Sequence, residues 1–173
     1  EGLHRVIGLP CRKARTQVGA YRRLVATHEL RKTRAALRLG AGRVFLDCLD
    51  VPPWACDPLQ PELMFRGLAE LEDLQAIVLG CGLGQDAAAR SRVEAGFERP
   101  VPLVLDADAL NLIAADEALQ ARLLARRAIT VLTPHPLEAA RLLRRSTAEV
   151  QADRVAAARE LALATGAVSV LKG

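Results

Sequence analysis

Aromatic side chains are scarce in this chain: one Trp, one Tyr and three Phe, 3% of 173 residues. Surfaces that bind single-stranded nucleic acid stack bases on aromatic rings, and none is interleaved with the arginines near the start, so a nucleic-acid partner is disfavoured. No apolar run has the length of a membrane-spanning helix, and no membrane partner is expected. Cys11, Cys48, Cys56 and Cys81 form no C-x-x-C pair, which removes the usual sequence signal for a zinc site or a dithiol redox centre. They are expected to be buried or inert thiols of a reducing compartment. No leader of charged, apolar and small residues opens the chain, so secretion is not indicated and a cytoplasmic location is expected. What remains is a chain with 51% hydrophobic residues whose core must be built from Leu, Ala and Val. That composition suits one soluble domain of alternating strands and helices.

The net charge of +4 is unevenly distributed. Residues 1–43 contain 11 Lys or Arg against Glu1 and Glu29, a balance of +9, and the remainder carries −5. A basic arm can serve an acidic partner. Between Arg5 and Arg34, however, the apolar residues keep neither a sustained strand alternation nor a clean helical stripe, although Tyr21 to Leu37 fits a basic helix. Residues 1–33 therefore stand apart as an atypical basic segment, and 34–173 as the domain proper.

From Thr33 the pattern is regular. A helix through Leu39 ends at Gly40-Ala41-Gly42, where glycine tolerates a left-handed cap. Arg43–Asp50 fits a strand, the stretch from Pro52 to Pro61 a loop, Leu63–Leu71 a short helix and Gln75–Leu79 a strand. Asp86–Phe97 is expected to be helical, Val101–Leu105 a strand, and Ala107–Arg127 one or two helices. The strand beginning at Ile129 meets a Thr133-Pro134-His135-Pro136 corner, where Pro136 suits the first helical position and Glu138 the first turn. Ser146 and Glu149 match a capping box ahead of a long helix, Val150–Thr165; Gly166 closes it, and Val168–Leu171 is a further strand. This alternation implies an α/β fold with a mostly parallel sheet between helical layers.

In such sheets ligands gather beyond the carboxyl ends of the strands. Four stretches fall there: Gly80–Gly84, Asp106–Asn111, Thr133–Glu138 and Lys172-Gly173. Each also has an ordinary reading. Gly80-Cys81-Gly82-Leu83-Gly84 lacks the third glycine of a dinucleotide fingerprint at the proper distance, yet its glycines let backbone approach a ligand closely. Asp106 is either a plain helix cap or, with Asn111, a contact to a sugar hydroxyl or a metal-bound water. The Thr-Pro-His-Pro corner is either a stiffened turn or an anion site at a helix start, with His135 held rigidly between prolines. Lys172 is either a strand-end charge or a phosphate clamp beside Gly173.

V-L-G-C-G-L-G-Q, P-L-V-L-D-A-D-A-L-N-L-I, V-L-T-P-H-P-L-E-A-A-R-L-L and V-L-K-G follow one another in the order and spacing of the ADP-dependent NAD(P)H-hydrate dehydratases, which the chain resembles from about Arg34 to Gly173. R-A-A-L-R-L-G-A-G-R-V and P-L-Q-P-E-L-M also resemble that family, and four motifs together are far more specific than any one. The resemblance implies a ribokinase-like three-layer sandwich and a repair reaction on hydrated NADH or NADPH. ADP, or ATP, phosphorylates the hydroxyl on the hydrated ring, and loss of phosphate restores the reduced dinucleotide. By the same resemblance a glycine of the Gly82-Leu83-Gly84 turn, Gly82 or Gly84, and His135 meet the dinucleotide, and Asp106 and Asn111, from their place on the rim, are candidate substrate contacts beside them. Lys172 and Gly173 begin the nucleotide phosphate loop, and Glu138 sits near Mg2+.

The chain also departs from that pattern. The family's glycine-rich turn ahead of the R-A-A-L helix has no counterpart between Leu3 and Lys32. The family's G-T-G-D-like turn, whose aspartate is the expected base, falls beyond Gly173, so the sheet is expected to be incomplete at its C-terminal end and no residue here is assigned as base. An open sheet edge favours self-association as a homo-oligomer. A fused or separate epimerase is an expected partner, since many members of the family carry one. A ribokinase-like small-molecule kinase and a non-catalytic nucleotide-binding chain are the alternative functions.

Overall fold

Short runs of Val, Leu and Ile form the centre of the molecule because parallel strands are covered on both faces and have no solvent side to alternate with. The computed structural model describes residues 5–11, 32–49, 57 and 59–173, the first seven by their backbone alone. Among the described residues seven strands make one sheet: β1 (Arg5–Cys11), β2 (Arg43–Cys48), β3 (Met64–Phe65), β4 (Ala76–Leu79), β5 (Leu103–Leu105), β6 (Thr130–Leu132) and β7 (Val168–Ser169). Their order is β3-β2-β1-β4-β5-β6-β7. Every neighbouring pair is parallel, with Ile77 opposite Leu103 and Leu105 opposite Leu132.

Residues 32–38 form helix α1 ahead of β2. The other helices are α2 (Ala87–Phe97), α3 (Asp108–Ala115), α4 (Glu117–Ala125), α5 (Pro136–Leu143), α6 (Thr147–Ala152) and α7 (Arg154–Thr165). The strand order reverses at β1, and right-handed crossovers therefore send α1 to one face and the later helices to the other. Packing agrees. Val44 and Leu46 of β2 form a cluster against Ala36 and Leu37 of α1. Ile77, Leu79, Leu103, Leu105 and Leu132 join Val93, Leu110, Ile113, Leu119 and Leu123 in the larger cluster opposite. A third cluster ties α5, α6 and α7 through Ala139, Val150 and Leu161. The expected α/β sandwich with a parallel sheet is present.

Three local expectations are corrected. Leu63–Leu71 is no helix: Met64–Phe65 pairs with β2 as an edge strand, and Leu68–Glu70 makes one turn of 3-10 helix after an extended Gly67. The apolar spacing there is set by burial of Leu63, Leu68, Leu71 and Leu74 from an irregular chain. The long helix drawn from Val150 to Thr165 is two, because Asp153 leaves helical geometry and its carboxylate accepts from the Ala156 N–H at 2.8 Å to start α7. Residues 5–11 showed no strand alternation, yet β1 lies between β2 and β4; Gly8 and Pro10 interrupt its pattern, and its register shifts between Gly8 and Cys11. The basic segment 1–33 otherwise lies almost wholly outside the described residues, as do Cys56 and the loop around Pro52. Among the described residues no helix is long and apolar enough to cross a membrane.

Candidate functional site

The carboxyl ends of β4, β5, β6 and β7 carry the four suspected stretches, and hydrogen bonds join them into one rim. Gly80 leaves β4 at φ +126°, and a Cβ there would lie 1.8 Å from the Asp106 carbonyl oxygen. Only glycine permits that approach of two backbones. The turn it opens is fastened from α3: the Asp108 N–H donates to the Gly80 carbonyl at 3.2 Å, and the Asp108 carboxylate accepts from the Gly84 N–H at 2.9 Å. Gly84 thus has its amide engaged, and what it offers a ligand is the lack of a side chain.

Asp106 is the centre of the rim. Its backbone N–H donates to Leu79 at 3.0 Å, continuing the sheet, and its Oδ1 accepts from the Lys172 ammonium at 2.5 Å. Its Oδ2 lies 3.6 Å from the Lys32 ammonium and accepts from the Cys81 thiol at 3.4 Å. The Lys32 ammonium also donates to the Cys81 sulfur. Burial acts to raise the Asp106 carboxyl, but the Lys172 hydrogen bond and charge, with Cys81 and Lys32, outweigh it and hold it below the ordinary carboxylate range. Burial pushes the Cys81 thiol up to about 11, so it is protonated at neutral pH, and Lys32 only partly opposes this. Between the two aspartates Ala107 sits at φ 49°, ψ −118°. An alanine held there stores about 1 kcal/mol or more of backbone strain, sustained by the bonds on either side.

At the Thr-Pro-His-Pro corner, Pro136 is the first helical residue and His135 the cap. The His135 Nδ1 accepts from the N–H groups of Leu137 at 3.1 Å and Glu138 at 3.3 Å, which leaves the ring proton on Nε2, 3.2 Å from Glu138 Oε1. Glu138 Oε2 in turn accepts from the His135 N–H at 2.8 Å. Glu138 is 3% exposed, so its carboxylate is buried behind the histidine. The amides expected to greet an anion at this helix start are therefore already capped by the imidazole. Sequence reasoning had the proline and the glutamate in place but not the histidine as cap, because His is an uncommon N-cap residue.

The structure thus brings together Gly82, Gly84, Asp106, His135, Lys172 and Gly173 on one rim: the Lys172 N–H donates to the Pro134 carbonyl at 2.8 Å, binding the last loop to the histidine corner. Asn111 is drawn aside, its Oδ1 accepting from Arg141 at 2.6 Å. Glu138 faces His135 with both oxygens, and the described residues contain no group of three or more His, Cys, Asp or Glu placed to hold a metal ion. Lys32 and Cys81 were missed as participants, and Asp108 stood among the suspected residues without a role. Asp108 had a signal in its D-A-D spacing, whereas Lys32 had none.

Solved structures share this architecture. A ribokinase-like superfamily protein from Enterococcus faecalis superposes with a TM-score of 0.73 at 22% identity, covering 99% of this chain and 58% of that one. The ADP/ATP-dependent NAD(P)H-hydrate dehydratase from Bacillus subtilis, co-crystallized with ATP/Mg2+ and soaked with CoA, does so with a TM-score of 0.73 at 24% identity, covering 99% and 60%. The fold is ribokinase-like. Residues 29–173 match the sequence profile of the family described as NAD(P)H-hydrate dehydratase. The chain is 45% identical over 147 residues to the ADP-dependent (S)-NAD(P)H-hydrate dehydratase of Neisseria meningitidis, 80% of this chain and 49% of that one. It is 39% identical over 147 residues to the bifunctional NAD(P)H-hydrate repair enzyme Nnr of Escherichia coli, 80% of this chain and 27% of that one. The chain belongs to the NAD(P)H-hydrate dehydratase family, and spans about half the length of the Neisseria relative.

Proposed function

We propose that this protein takes part in nucleotide-dependent dehydration of the S-epimer of hydrated NAD(P)H, its rim binding the damaged dinucleotide and an adenine nucleotide side by side. The observation that carries the reading is the joining of the glycine turn, the His135 corner and Lys172 through Asp106 and Asp108. Gly82, Gly84 and His135 form the dinucleotide side, and Lys172 with Gly173 the phosphate side. Asp106 and Asn111 have their oxygens engaged by Lys172 and Arg141, and act on a ligand through those partners.

The chemistry suits these parts. Hydroxide is a poor leaving group and phosphate a good one, so phosphoryl transfer from ADP to the ring hydroxyl, releasing AMP, lowers the barrier to the elimination that restores the ring double bond. An ammonium at the transferred group stabilises its charge, and Lys172, 43% exposed at its side chain with one of three N–H donors on Asp106, has donors left for phosphate. Mg2+ would neutralise phosphate charge here. It ordinarily binds through phosphate oxygens, water and one or two carboxylates. Glu138 is the carboxylate that would hold it, from behind His135, which now meets both of its oxygens. The base of the elimination is assigned to none of residues 1–173.

Cytoplasmic residence and a fused or separate epimerase partner belong to the same reading, the latter supported by the bifunctional repair enzymes among its relatives. Self-association through the β7 side of the sheet is supported by half-exposed Val168 and Val170. The test is incubation with hydrated NADH, ADP and magnesium. Regain of reduced-nicotinamide absorbance that requires ADP supports the reading; no regain together with no binding of ADP or NADH contradicts it.

A further inference from the structure

The two aspartates of D-A-D flank a strained residue; Asp106 takes its short charged bond from the last loop and only a long thiol contact, Cys81 at 3.4 Å, from the glycine turn, whereas Asp108 bonds the turn's backbone. Asp106 Oδ1 holds the Lys172 ammonium at 2.5 Å, and Asp108 Oδ2 holds the Gly84 N–H at 2.9 Å. Neither bond is needed to close the sheet, whose strands are already paired. Each fixes a loop that carries a different part of the rim. Ala107, at φ 49°, turns the chain between them. The backbone on both sides is fixed, with Asp106 N–H on Leu79, Asp108 N–H on Gly80 and Ala109 N–H on the Asp106 carbonyl.

The geometry points to a division of labour: Asp106 is a positioning residue for the nucleotide side, acting through Lys172, and Asp108 a positioning residue for the dinucleotide side, acting through the Gly80–Gly84 turn. This rests on the reading of the rim given above. An ammonium has three donors in a rotating cone, and one strong bond to a carboxylate fixes where the other two aim. Buried Leu83 and Cys81 anchor the glycine turn and the Leu83 N–H closes it on the Gly80 carbonyl at 3.2 Å, while the bond from Asp108 fixes its outer end at Gly84. Among the described residues the Asp106 carboxylate meets Lys172, Lys32, the Ala107 N–H at 2.9 Å and the Cys81 thiol, and its hydrogen bonds do not extend to Gly84.

The two roles separate in one experiment on the full chain. Affinities are measured for ADP with magnesium by calorimetry and for NADH by its fluorescence, in the unsubstituted protein and in Asp106→Ala, Asp106→Asn, Asp108→Ala and Asp108→Asn, each checked by its melting curve. Loss of one charge-assisted bond predicts about a tenfold rise in the ADP Kd for Asp106→Ala, and a similar rise in the NADH Kd for Asp108→Ala, each leaving the other ligand within about twofold. Asp108→Asn keeps an oxygen for the Gly84 N–H and restores NADH affinity, whereas Asp106→Asn lacks the charge that holds an ammonium and remains weak for ADP. A merely structural role would weaken both ligands together. Equal loss of both, or tighter ADP binding by Asp106→Ala, overturns the division while leaving the rim reading intact. Failure of the unsubstituted chain to bind either ligand overturns both.

Discussion

Gly80 and Asp106 show how little freedom the rim has at single positions. Gly80→Ala would set a Cβ 1.8 Å from the Asp106 carbonyl and 2.7 Å from the Ala109 Cβ at a φ of +126°. Relief requires moving the start of α3, and the expected cost is about 3 kcal/mol or more, read as a lowered melting temperature with a displaced Asp106. The Asp106 carboxyl titrates below its unfolded value because Lys172 and Lys32 favour its charged form over the opposing effect of burial. A depressed carboxylate contributes stability in full above the unfolded pKa of about 4 and loses it as pH falls through the folded value. Acid melts from pH 5 downward should therefore show a loss of stability that Asp106→Asn makes shallower; an unchanged acid slope would remove the ion pair from the account.

At the scale of elements, caps decide where the rim helices begin. His135→Ala removes the acceptor for two α5 amides and should lower stability by about 1 kcal/mol, the usual cost of losing a helix cap, with His135→Asn recovering part of it in chemical denaturation. Much of this level was legible in the sequence. The capping box at Ser146 and Glu149 was read from spacing and is present, with Ser146 Oγ accepting from Glu149 N–H at 3.2 Å. Asp153 carried the same kind of signal, but the apolar pattern running through Val150 and Leu161 concealed it, because α6 and α7 bury residues into one cluster and share its periodicity. Leu63–Leu71 failed for the reverse reason: burial from a loop imitates helical spacing. The rim was legible as separate motifs on strand ends. That Asp106 meets Lys172, 66 residues away, was not, since no local rule joins distant strand ends.

For the molecule as a whole, the sheet is stabilised by a central seam of leucines. Leu79, Leu103, Leu105 and Leu132 are all 2% exposed or less and cluster with Ile113 and Leu119. Leu105→Ala is expected to cost about 2–5 kcal/mol, with the charged surface substitution Arg127→Ala near zero as a control, both by denaturant midpoint. Val168 on β7 is 55% exposed, and Val168→Lys should shift the sedimentation profile toward monomer if that side of the sheet associates. Family membership rests on sequence, and the place of chemistry rests on the rim. The most direct test of the rim is a crystal structure of the chain grown with ADP, magnesium and NADH. Density for the dinucleotide against Gly84 and His135, with the ADP phosphates at Lys172, is the predicted result; both ligands seated away from the carboxyl ends of β4 to β7 would contradict it.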